Sequence, residues 1–162
     1  MATLTVFKFS TPEGAGQMLS KVESLQKMQL IAIQDAAIVY WEAGKKQPKT
    51  HQAVSLAGVG ALQGAFWGML FGLIFFIPFF GLAVGAAMGA LGGKMADYGI
   101  DDNFIKQTRE KVTEGTSALF LLSDKAVMDK VVAELKGMEF ELIASNLTKE
   151  QEAQLMATFA EE

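Results

Sequence analysis

Thr50–Gly93 reads THQAVSLAGVGALQGAFWGMLFGLIFFIPFFGLAVGAAMGALGG and contains no Asp, Glu, Lys or Arg. Its 44 residues are about twice the roughly 20 apolar residues that one membrane-spanning helix requires. Ile77-Pro78-Phe79-Phe80-Gly81 interrupts it near the middle, because proline lacks an amide donor and disfavours helix in the residue before it. The pattern predicts two apolar helices, about Ala53–Phe76 and Phe80–Ala96, joined by a tip at Phe76, Pro78, Phe79 and Phe80. Glycine recurs every fourth residue in each: Gly60, Gly64, Gly68 and Gly72, then Gly81, Gly85, Gly89 and Gly93. At that spacing glycines share one helix face and let another helix approach closely in lipid. The stretch therefore reads as a glycine-zipper hairpin that packs on itself and drives assembly between copies.

Outward from the hairpin the chain turns polar. Residues 1–51 carry six lysines and four acids, whereas residues 94–162 carry eight Lys or Arg and fourteen acids. An acidic C-terminal part without a basic run argues against nucleic-acid binding, which needs clustered cations against phosphate. The absence of cysteine excludes disulfides, thiolate metal sites and cysteine nucleophiles. MATLTVFKFSTPEG has no basic segment leading into an apolar core, so no signal peptide is expected and the N-terminal part is expected in the cytosol.

The polar parts carry the marks of alternating strands and helices. Thr3–Phe9, Leu30–Trp41, Thr116–Leu122 and Glu139–Asn146 are short runs rich in β-branched and aromatic residues, the pattern of strands. Thr11-Pro12-Glu13 reads as a helix start, followed by Ala15, Met18, Leu19, Val22 and Leu25 on one face. Ser123-Asp124 opens a second such helix. Asp101 or Asp102 is placed to cap a polar helix that runs to about Glu114 and stops at Gly115. Thr148-Lys149-Glu150-Gln151 has the capping-box pattern of a C-terminal helix. Phe9 to Ala32 weakly repeats in Leu122 to Ala144. The expected fold is α+β: a ferredoxin-like βαβ-βαβ sandwich with the apolar glycine-zipper hairpin inserted. Residues 1–49 form the first half, 50–96 the transmembrane or re-entrant hairpin, and 97–162 a polar helix, the second half and the C-terminal helix.

Taken together, Asp35-Ala36-Ala37-Ile38-Val39, the glycine-spaced hairpin, Gly99-Ile100-Asp101-Asp102-Asn103-Phe104-Ile105, Gly115-Thr116-Ser117-Ala118-Leu119-Phe120 and Thr148-Lys149-Glu150-Gln151-Glu152 resemble an uncharacterised prokaryotic family of predicted membrane proteins, domain of unknown function 1269. The resemblance implies membrane association and brings no established activity or site residues.

For function, Lys45, Lys46 and Lys49 before the hairpin and Lys94 after it favour the cytoplasmic side and anionic headgroups, with Trp41 as an interfacial aromatic. Tyr40 and Tyr98 flank the hairpin similarly. His51 lacks visible metal partners and reads as an interfacial polar residue. Asp35 in an apolar strand fits a water-facing edge. There is no nucleophile elbow, phosphate loop or zinc motif. The reading expects a non-enzymatic homo-oligomer without cofactor that contacts membrane lipid, both polar parts lying on the cytosolic side of the inner membrane. An oligomeric channel and a membrane-anchored ligand sensor are the alternatives.

Overall fold

The alternation in Ala2–Phe9 (β1) sends Leu4 and Val6 to one face of a sheet and Thr5, Phe7 and Phe9 to the other, all buried. Both faces are therefore covered, as near-continuous apolar strands require. The computed structural model describes residues 2–28, 33, 35–46, 48–52, 64–75, 98–134 and 139–159. After β1 come α1 (Gly14–Lys27), β2 (Asp35–Tyr40), β3 (Lys49–Gln52), α2 (Gly64–Phe75), α3 (Asp102–Lys111), β4 (Ser117–Asp124), α4 (Lys125–Glu134), β5 (Glu141–Asn146) and α5 (Lys149–Phe159). The five strands form one sheet in the order β3-β2-β4-β1-β5, every neighbour antiparallel.

The register assigns each face its core. Leu4, Leu122, Val6, Phe120, Ala37 and Val39 face α2, α3 and the Leu147 and Leu155 side chains. Phe7, Phe9, Leu119, Leu121 and Ala36 face α1 and α4 through Ala15, Met18, Val22 and Val131. Local caps hold as expected: the Asp101 carboxylate accepts from the Phe104 amide at 2.9 Å. Gln151 and Thr148 exchange reciprocal bonds of 2.9 and 3.1 Å, which satisfies two helix-start donors at once. At α1 no side chain of the local helix start caps the helix; the hydroxyl there comes from far along the chain. Ser117 Oγ accepts from the Ala15 amide at 2.9 Å and donates to the Thr11 carbonyl at 2.6 Å. Gly14 enters there because a Cβ would lie 2.5 Å from that of Phe9.

Two findings overturn the expected ferredoxin-like sandwich with a membrane-inserted hairpin. The sheet has five strands, not four. Lys49–Gln52, assigned to the linker and the hairpin's base, instead pairs with β2 from Ala37↔Gln52 to Tyr40↔Lys49, because an edge strand needs backbone partners more than an apolar side-chain pattern. The apolar element that the structure describes is α2, Gly64–Phe75. Among the described residues, no helix is long and apolar enough to cross a membrane.

Instead, α2 lies in the protein's own core. Phe66, Trp67, Leu70, Phe71, Leu73 and Ile74 are each 4% exposed or less. Burying six such side chains is worth on the order of 10 kcal/mol, comparable with the whole stability of a typical domain. Detaching α2 from the sheet is therefore equivalent to unfolding. The remaining parts of the expected hairpin, residues 53–63 and 76–96, lie outside the described residues, as does the expected second helix.

Candidate interaction surface

Arg109 on α3 reaches two backbone carbonyls of α2: its Nε donates to the Ile74 carbonyl at 2.9 Å and its Nη2 to the Leu73 carbonyl at 2.7 Å. A cation beside helix carbonyls also complements their aligned dipoles. The next residue, Phe75, is partly buried and packs on the core.

Trp41 sits edge-on against the Phe75 ring, centroids 6.1 Å apart at 88°. The strand that ends at Tyr40 continues into it, and three bonds lock its backbone and ring. Its amide donates to the Thr116 carbonyl at 2.9 Å, its carbonyl accepts from the Gly115 amide at 2.7 Å, and its indole Nε1 donates to the Lys45 carbonyl at 2.8 Å. Gly115 turns there with φ +85°, a conformation that costs glycine little. The Gly44 amide donates to Glu114 Oε1 at 2.6 Å. A short loop is thus pinned to the sheet's end, with Lys45 and Lys46 exposed upon it and Lys49 exposed at the start of β3. Three lysines face two glutamates here, Glu42 and Glu114, so the corner is weakly basic in an acidic chain.

A second charged group lies at the other sheet edge. Glu141 on β5 meets Lys8 Nζ of β1 and Lys111 Nζ of α3, each at 3.2 Å. Hydrogen bonds from Lys111 and Lys8, with their positive charges, hold the Glu141 carboxyl below its ordinary 4.5. A recess of about 310 Å3 opens beside it, lined by Lys8, Ser10, Glu139, Phe140 and Glu141. With the folded value depressed, the Glu141 contribution is present above about pH 4.5 and is lost as pH falls through the folded value. Half of the Glu141 side chain is exposed, so the increment is at most about 1 kcal/mol. Denaturant titrations at pH 7 and pH 3 should show this increment in the parent and its absence in Glu141→Gln.

The sequence-predicted residues are distributed unevenly over this frame. Gly64, Gly68 and Gly72 all fall in α2, where Gly72 lies in the turn Leu70–Ile74 that is buried at every position. Gly60, Gly81, Gly85, Gly89, Gly93, Lys94 and the tip residues Phe76, Pro78, Phe79 and Phe80 lie outside the described residues. Trp41, Lys45, Lys46 and Lys49 are brought to one corner. Tyr98 is buried in the α2 face of the core, and His51 is exposed on β3. Asp35 is buried in β2, not set on a water-facing edge, and its Oδ1 accepts from the Ala36 amide at 2.8 Å. Arg109 escaped the sequence reading, since its partners are backbone carbonyls 35 and 36 positions away. Among the described residues, no group of three or more His, Cys, Asp or Glu could hold a metal ion.

A family model described as "Protein of unknown function (DUF1269)" matches residues 61–160. No curated protein and no solved structure matches the chain.

Proposed function

The chain belongs to the DUF1269 family, and from that premise we propose that it is a non-enzymatic protein that attaches to an anionic membrane surface by its Trp41 corner. The observation that carries this reading is the contact of Trp41 with Phe75, a residue of the charge-free stretch. An aromatic ring beside exposed lysines suits the headgroup level of a bilayer, the ring meeting the acyl boundary and the lysines the phosphates. Attachment at the surface asks for no spanning helix. It leaves both polar parts on one side, the cytosolic face of the inner membrane.

The chain has two tryptophans, and Trp67 is buried in the core, so Trp67→Phe leaves Trp41 as the sole reporter. Its emission should shift to shorter wavelength on addition of vesicles rich in phosphatidylglycerol and stay unchanged with phosphatidylcholine alone. Each lysine near an anionic surface contributes about 1 kcal/mol, so Lys45→Glu with Lys46→Glu should weaken vesicle binding at least about tenfold. Equal binding by the parent and the double variant, or no binding to anionic vesicles, would overturn the reading.

A further inference from the structure

β2 and β5 take equivalent places in the sheet, on either side of the central β4–β1 pair, yet their outer edges are treated differently. β2 pairs with β4 from Asp35↔Leu122 to Tyr40↔Ser117, and β5 pairs with β1 from Lys8↔Glu141 to Thr3↔Asn146. Through the central β1–β4 register, Glu141–Asn146 corresponds residue for residue to Asp35–Tyr40. The outer side of β2 is occupied by β3, whereas among the described residues β5 ends the sheet. The consequence shows in burial. Ala36 is fully buried, while its counterpart Leu142 is 43% exposed, and Ala144 is also exposed.

Exposed edge strands are normally blunted by charge, proline, bulge or brevity. β5 is six residues long, contains no proline and carries Glu141 as its single charge, which Lys8 and Lys111 compensate within the chain. The opposite edge, β3, is four residues with an exposed lysine and histidine, which is the blunted design. We propose that the β5 edge is the surface by which two copies of this chain associate, joining their sheets antiparallel about a two-fold axis at Ala144.

A two-fold perpendicular to the sheet keeps each core face on its own side, so it must pass through a residue, not between two. With Ala144 opposite its own copy, Ile143 meets Ser145, Leu142 meets Asn146 and Glu141 meets Leu147. Glu141 never faces Glu141, so the like-charge penalty of directly opposed residues is avoided. The pairing covers Leu142 and satisfies the outer hydrogen-bonding groups of β5. It closes on itself, whereas β5 against β3 of another copy would propagate into open fibres.

The chain has no cysteine, which makes single-cysteine probes clean. Under mild oxidation Ala144→Cys should give a disulfide-linked dimer faster than Leu142→Cys, and far faster than Gln107→Cys on the exposed face of α3. In sedimentation velocity without lipid, the parent should be dimeric, and Leu142→Lys with Ala144→Lys should be monomeric at the same concentration. Both positions are exposed, so the far-ultraviolet circular dichroism of that variant should match the parent's, and its unfolding midpoint should not depend on concentration as the dimeric parent's does, which separates lost pairing from lost folding. A monomeric parent at all concentrations, a dimer untouched by the lysine pair, or cross-linking no faster at Ala144 than at Gln107 would overturn the proposal. Vesicle binding by the Trp41 corner is read separately and does not depend on the outcome.

Discussion

Phe120→Ala should lower the free energy of unfolding by about 3–5 kcal/mol, the usual cost of emptying an aromatic site in a packed core. Phe120 is fully buried on β4, the central strand. Its ring meets those of Trp67 at 6.3 Å and Phe71 at 5.1 Å, both edge-on. Truncation therefore removes the platform on which α2 sits. For a chain of this size the loss should lower the melting midpoint by roughly 10 °C. A loss below about 1 kcal/mol, typical of a surface site, would mean that α2 does not rest on the sheet.

Arg109→Met should cost about 2–3 kcal/mol, because it removes two charge-assisted bonds while keeping much of the side-chain volume. The Leu73 and Ile74 carbonyls would be left without their α3 donor. Arg109→Lys should recover only part of the loss, since an ammonium is a point donor and lacks the fork that spans two carbonyls. Native-state hydrogen exchange gives the more telling readout. If docking of α2 is inseparable from folding, the slowest amides of α2 and β4 should accelerate together, by about 30- to 100-fold for a loss of this size. Acceleration confined to α2 would make it an appendage that opens by itself.

How far the sequence reveals this molecule depends on the range of each interaction. Where the cause is local, it could be read: Asp101 caps α3, and Thr148 with Gln151 caps α5, because the partners lie three residues apart. The alternation of β1 and the apolar face of α1 were equally visible. Ser117 as the cap of α1 was not, since it comes from 102 residues downstream. β3 was missed because Lys-Thr-His-Gln has neither apolar alternation nor aromatic content, and its place is set by the free side of β2.

The largest correction concerns the apolar stretch. Hydropathy measures dislike of water and cannot tell a bilayer from a protein core. One signal within α2 did point to the core. Trp67, Leu70, Phe71 and Ile74 recur at three- and four-residue spacing, a row of bulky side chains along one side of the helix, as an element packed on a sheet carries. The aromatic-and-lysine corner was legible as a set of residue types. That Trp41, Phe75 and the Lys45 backbone meet there needed the fold.

The Phe71–Phe120 contact tests most directly whether α2 is part of the folded core. A double-mutant cycle with Phe71→Leu and Phe120→Leu, measured by denaturant unfolding of the full chain, reports the pair alone. Rings 5.1 Å apart at 80° should give a coupling of about 0.5–1.5 kcal/mol. Strict additivity of the two single losses would contradict the docking of α2 on the sheet.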